Sequence, residues 1–139
     1  MLQWFTIRNC TSGGYLSQSV ITISTAPTLA HLVFEDNVGP VLSVLDSSPV
    51  LRACSFRYNG ALSGYAAAVH FSDSTLGATL TVLDSTFNLN AAAGDETTQT
   101  AGAIFALGVP TSGTRLVVNN TQFVSNAAPV GGVVNAWYI

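Results

Sequence analysis

Seven carboxylates, four arginines, two histidines and two cysteines are the charged, imidazole and thiol side chains here that could carry acid–base, thiol or metal chemistry. The carboxylates are Glu35, Asp36, Asp46, Asp73, Asp84, Asp95 and Glu96. Glycoside hydrolysis needs two of them across one scissile bond, and a calcium site needs several oxygen ligands converging. Glu35-Asp36 and Asp95-Glu96 are adjacent pairs that read as turn or loop residues, and so do Asp46, Asp73 and Asp84. No second Cys or His lies at metal-ligand spacing from another. The expected catalytic, metal and cofactor sets are therefore empty.

The elements that would position these residues are set by an unusual composition. Of 139 residues, 8% are charged and 48% hydrophobic, with a net charge of -3 and no Lys. A typical soluble domain is about 25% charged. A disordered tail needs low hydrophobicity and high net charge, and a nucleic-acid binder needs a basic footprint; neither description fits. The stretches without charge, Asn9 to Phe34 and Leu116 to Ile139, are too rich in Ser, Thr, Gly and Asn to be spanning helices. Met1-Leu2-Gln3-Trp4-Phe5 lacks the basic start and apolar core of a signal peptide.

An internal repeat organises the chain. Phe-x-x-Asn occurs at Phe34–Asn37, Phe56–Asn59, Phe87–Asn90 and Phe123–Asn126. The first spacing is 22 residues, and later spacings grow to 31 and 36 as loops are inserted. Stepping back 22 from Phe34 reaches Ser12, with Tyr15 in the Asn place. Thr6-Ile7-Arg8-Asn9-Cys10-Thr11 then aligns with Val50-Leu51-Arg52-Ala53-Cys54-Ser55, which puts Cys10 with Cys54 and Arg8 with Arg52.

After each repeat comes a block with apolar columns, Ile21, Leu42, Val69, Ile104, Val134 and Ile23, Val44, Phe71, Ala106, Ala136. Between them runs Thr22, Ser43, His70, Phe105, Asn135. Alternation of period 2 means strands with one buried face, and no segment carries a helical period. Short-strand repeats of this length predict an all-β parallel solenoid of about five coils, spanning 1–139 as one domain. Like residues would then lie above like residues about 4.8 Å apart. Stacked like charges repel, which accounts for their scarcity. Asn37, Asn59, Asn90 and Asn126 are expected to form an amide ladder, with Phe34, Phe56, Phe87 and Phe123 stacked inside. No polar cap is visible at either end, so a segment of a longer solenoid is expected.

Phe-x-x-Asn followed by Ala101-Gly102-Ala103-Ile104 or Gly131-Gly132-Val133-Val134 resembles the repeat of chlamydial polymorphic outer-membrane proteins. More broadly it resembles the right-handed parallel β-helix, or pectin-lyase-like, superfamily. The resemblance implies right-handed winding. It also implies a ligand groove over a strand face, which makes His70, with Phe105 and Asn135 in its column, the candidate surface contact. Polygalacturonase-like motifs (Asn-Thr-Asp, Asp-Asp, Gly-His-Gly, Arg-Ile-Lys) are absent.

His31 falls in a turn column. Cys10 and Cys54, two coils apart in one column, would be roughly 9.6 Å apart, beyond the roughly 7 Å that a disulfide spans between Cα atoms, so both are expected as free thiols. Arg8, Arg52 and Arg57 read as solvated surface. Asn9-Cys10-Thr11 and Asn119-Asn120-Thr121 are glycosylation sequons for a chain that enters a secretory route. The inserts 60–66, 72–79, 91–101 and 107–114 are candidate contact loops. The expected function is a non-enzymatic scaffold or adhesin-like segment of an extracellular or cell-surface protein, contacting a glycan or a cell-surface protein and no nucleic acid. The alternatives are part of a carbohydrate-active lyase or hydrolase whose active site lies outside this segment, and an exported autotransporter passenger.

Overall fold

A computed structural model describes residues 1–11, 19–62, 66–74, 77–93, 100–110 and 113–139. Ser12, Tyr15, Asp95, Glu96 and parts of the four inserts lie outside the described residues. In chain order the strands begin with β1 (Leu2–Gln3), β2 (Thr6–Arg8) and β3 (Ile21–Ile23), then β4 (Thr28–Ala30), β5 (Val33–Glu35) and β6 (Leu42–Leu45). Next come β7 (Val50–Arg52), β8 (Ser55–Arg57), β9 (Gly60–Ala61) and β10 (Val69–Ser72), followed by β11 (Thr79–Leu83), β12 (Thr86–Asn88), β13 (Ala91–Ala92) and β14 (Ile104–Leu107). The last are β15 (Arg115–Asn119), β16 (Gln122–Val124) and β17 (Val134–Trp137). No helix occurs among the described residues.

The strands form three five-stranded sheets: β1-β4-β7-β11-β15, β2-β5-β8-β12-β16 and β3-β6-β10-β14-β17. A short pair, β9 and β13, stands apart from them. Every pairing is parallel. The chain visits the first, second and third sheets in turn and then repeats, an arrangement compatible with a β-solenoid. In the third sheet Ile21, Leu42, Val69, Ile104 and Val134 are register partners, as are Ile23, Val44, Phe71, Ala106 and Ala136. Apart from the exposed Ala136, these columns, the first-sheet column through Leu29, Leu51 and Val82, and the Phe column make up one apolar core.

The corners from the first sheet to the second and from the second sheet onward are each made by one residue in the left-handed region. After the first sheet these are Trp4, His31, Ala53, Asp84 and Asn120; after the second they are Asn9, Asp36, Tyr58, Leu89 and Ser125, all with φ between 47° and 64°. Asn and Asp tolerate this conformation, whereas bulkier residues are strained by roughly 1–2 kcal/mol. The N–H of a corner residue still reaches a carbonyl of the following coil, as in Ala53 to Leu83 and Tyr58 to Asn88.

At four corners after the second sheet and two after the first, the next N–H along goes instead to a side chain. After the second sheet, Asn37 and Asn59 N–H donate to the Oδ1 of Asn59 and Asn90 at 3.2 Å, and Asn90 N–H donates to Asn126 Oδ1 at 3.1 Å. The side-chain amides run in parallel, Asn37 to Asn59 (2.9 Å), Asn59 to Asn90 and Asn90 to Asn126 (2.8 Å each). Their second N–H reaches back to the carbonyls of Ile7, Phe34, Phe56 and Phe87. After the first sheet, Cys54 N–H donates to Ser85 Oγ and Ser85 N–H to Thr121 Oγ1. Beside the amide ladder, Phe34, Phe56, Phe87 and Phe123 stack with centroids 4.6, 4.7 and 5.0 Å apart and rings within 13° of parallel. Each such contact adds about 0.5–1.5 kcal/mol beyond burial.

The first coil corrects the alignment drawn from sequence. Thr6, Ile7 and Arg8 pair with Val33, Phe34 and Glu35, not with the Leu29 strand. Leu2 pairs with Leu29, so Ile7 holds the Phe place and Cys10 the Asn place, and Cys10 N–H donates to Asn37 Oδ1 at 3.0 Å. The cause is a five-residue echo inside each coil. Val50-Leu51-Arg52-Ala53-Cys54 and Ser55-Phe56-Arg57-Tyr58-Asn59 are both a short strand, a left-handed corner and an inward residue. A sequence match therefore fits either sheet, and the hydrogen bonds choose the second. Cys10 and Cys54 do not share a column, nor do Arg8 and Arg52.

Two substitutions test this frame. Asn90→Ala strands the N–H and amide of Asn59 and the Phe56 carbonyl, and should cost at least about 3 kcal/mol, read as a fall in the urea midpoint at unchanged slope. Ala53→Gly relieves a strained corner and should raise stability by about 0.5–1 kcal/mol, after the added unfolded-chain entropy is deducted.

Candidate functional site

The residues flanking each Phe point away from the core, so the outer face of the second sheet is a lattice of side chains fixed by strand register. One column is Thr6, Val33, Ser55, Thr86 and Gln122; the other is Arg8, Glu35, Arg57, Asn88 and Val124. Arg57 Nε and Nη2 donate to the two carboxylate oxygens of Glu35, both at 3.0 Å. The pair is partly exposed and is worth at most about 1 kcal/mol, but it offsets the Arg57 charge and fixes its side chain. Thr86 Oγ1 and Ser55 Oγ lie 3.3 Å apart. Between these columns opens a cleft of about 270 Å³, lined by Ser55, Arg57, Thr86, Phe87, Asn88, Gln122 and Val124. Its polar lining is guanidinium, amide and hydroxyl. Its lining contains no carboxylate, His or Cys, and Phe87 and Val124 supply apolar surface beside the polar groups.

Of these residues, sequence reasoning named Arg57, as solvated surface, and Phe87, as part of the inner stack. The available signal was the pair of positions flanking each Phe, which are polar in Ser55-Phe56-Arg57 and Thr86-Phe87-Asn88.

The column expected to make surface contact is not an open face. Ser43, His70 and Phe105 are buried, and Asn135 is half-buried. The chain leading into β10 and β14 folds over the outside. Phe105 packs with Ala66 and Ala101, which bridge each other in parallel, and with Leu107. Asn135 Nδ2 donates to the Thr100 carbonyl at 3.3 Å and its Oδ1 accepts from Trp137 Nε1 at 2.7 Å. Gly131 fits only because it lacks a Cβ, which would stand 2.6 Å from that of Asn135. Burial pushes the His70 pKa down from 6.5 to about 4, so its ring is neutral at pH 7.

The described carboxylates with assigned partners join chain segments. Asp46 accepts from the N–H and hydroxyl of Ser74, at 2.6 and 2.9 Å. Asp73, fully buried, accepts from Ala78 N–H at 2.9 Å and Thr114 Oγ1 at 2.6 Å. Asp84 accepts from Asn120 Nδ2 at 2.8 Å. Among the described residues, no three His, Cys, Asp or Glu side chains could hold a metal ion.

His31 stacks on Trp4, with centroids 4.1 Å apart and rings 1° from parallel. Both cysteines are free thiols. Desolvation raises the pKa of Cys54, against the lowering effect of hydrogen bonds with the Leu32 and Arg52 backbones. Asn9 and Asn119, the sequon residues, are exposed, and the Thr121 hydroxyl donates to the Asn119 carbonyl at 3.0 Å.

Fold and site together define an all-β protein of stacked parallel strands with a polar, shallowly cleft outer sheet. No protein-family model, curated protein or solved structure matches the chain. No described helix is long and apolar enough to cross a membrane.

The His70 shift has a measurable consequence. The unfolded imidazole titrates near 6.5 and the folded one near 4, so the unfolded state holds more protons between these values. Stability is lost as pH falls through that window, by roughly 3 kcal/mol in all. Comparing urea midpoints at pH 7 and pH 4.5, His70→Phe should show a smaller fall than the parent chain. An equal fall would mean that His70 does not supply this term.

Proposed function

We propose that this chain is a right-handed parallel β-helix of about five coils, of the pectin-lyase-like kind. In this reading it serves as a non-enzymatic scaffold or adhesin-like segment of a secreted or cell-surface protein. The outer face of the second sheet and the inserted loops would contact a glycan or a cell-surface protein. The observation that carries this reading is the register-fixed cleft at Arg57, Thr86, Asn88 and Gln122, whose lining is made for hydrogen bonding and lacks a titrating acid or base. The use of Asp46, Asp73 and Asp84 to hold neighbouring segments supports it further. Binding is then a property of the surface, while the ladders inside keep that surface rigid. Preorganised polar groups of this sort lose little entropy when a ligand engages them.

The test is a glycan and cell-surface-protein array probed with the chain and with the Arg57→Ala/Gln122→Ala double variant. A ligand retained by the parent and weakened tenfold or more by the variant, at an unchanged melting temperature, supports the reading. Turnover of any member of a polysaccharide panel would replace the scaffold with a carbohydrate-active enzyme.

A further inference from the structure

Asn59 is followed by Gly60, the one Asn-Gly dipeptide in the sequence. This dipeptide is chemically labile because no Cβ on the glycine shields its nitrogen. The Gly60 nitrogen attacks Asn59 Cγ and the Cγ–Nδ2 bond breaks. Ammonia leaves with the amide proton, and a succinimide remains. Water then opens the ring at either carbonyl, giving Asp or isoaspartate. The fold opposes every part of this step. Asn59 is almost fully buried. Its Oδ1 accepts from Asn37 N–H and Nδ2, and its Nδ2 donates to the Phe34 carbonyl at 3.1 Å and to Asn90 Oδ1 at 2.8 Å. The attacking nitrogen is itself engaged, with Gly60 N–H donating to the Asn37 carbonyl at 2.9 Å.

We infer that Asn59 is a conditional deamidation site, shielded while the coils are stacked and converted once they open, after which the chain no longer rebuilds the ladder. Either product is incompatible with the stack. Asp lacks the two amide donors and sets a carboxylate oxygen against Asn90 Oδ1, acceptor facing acceptor. Isoaspartate adds a methylene to the backbone and breaks the register between the Phe column and the strand that follows. The modification therefore records unfolding, in the manner of a covalent latch that closes only from the open state.

A control is built into the same site. Gly60 is not among the glycines with positive φ, and a Cβ added to it would meet nothing nearer than the Ala91 carbonyl oxygen at 3.9 Å. Gly60→Ala therefore fits the fold while hindering succinimide formation.

The experiment incubates the parent chain and Gly60→Ala at pH 8, folded in buffer and unfolded in urea, with peptide mapping for Asp and isoaspartate at position 59 and a refolding yield at each time. In the folded parent the conversion should be slower than in urea by roughly a thousandfold or more, because the open fraction sets the rate. The refolding yield of the unfolded parent should fall in step with conversion, while Gly60→Ala keeps its yield. Asn59→Asp, made directly, should lack the parent's cooperative melting transition. Equal conversion rates folded and unfolded, equal loss of yield in parent and Gly60→Ala, or an Asn59→Asp chain that melts with the parent would each overturn the inference.

Discussion

The constraint on which the rest depends is the single peptide N–H that follows each left-handed corner. Strand N–H groups find carbonyls on the coils to either side, and the corner N–H finds one on the next coil. The following N–H does not, and a buried N–H without an acceptor costs free energy comparable to a lost hydrogen bond. After Asn9, Asp36, Tyr58, Leu89, Ala53 and Asp84 a side chain of the next coil supplies the oxygen; after Trp4 and His31 the facing residues are Leu32 and Cys54, which carry none. After the second sheet that side chain is Asn, which accepts the N–H, accepts its predecessor's amide and returns two donors of its own. After the first sheet Ser85 and Thr121 do the same work with a hydroxyl. The Asn repeat thus follows from a corner geometry rather than from any site chemistry.

The composition follows from the same geometry. Register-stacked strands place like beside like, so a charge is tolerated chiefly where its axial neighbour differs, as Glu35 beside Arg57. Inward positions must fit a narrow interior, which favours Phe, Leu, Val and Ala. A chain with so few acids and bases keeps most of them at joints, and the polar groups left facing outward are neutral amides and hydroxyls. Scarcity of charge and the character of the cleft have one origin.

The Phe and Asn columns were legible in the sequence because each demands one residue type and recurs with it. The third-sheet columns were legible because two apolar positions bracket a different one. The first coil was misplaced because the two corners of a coil look alike at five-residue offset, and only long-range hydrogen bonds from Asn37 distinguish them. His70 and Phe105 were placed on an open face because alternation reports which side of a strand a residue occupies, not what packs over that side. Covering segments such as Ala66 and Ala101 carry no periodic signal. The cleft escaped notice for a related reason, since its residues share a polarity and not an identity.

The amide ladder also has a direction. Every Asn points its carbonyl oxygen toward the preceding coil, and Asn37, Asn59 and Asn90 each send a donor toward the following one. The amide dipoles therefore align head to tail along the axis, and a coil offered in the opposite sense would present donor to donor. At Asn37, Asn59 and Asn90 the backbone N–H is met by the successor, while the second amide N–H is met by the predecessor. The ladder therefore has a polarity, and only a coil of the same sense extends it at either end.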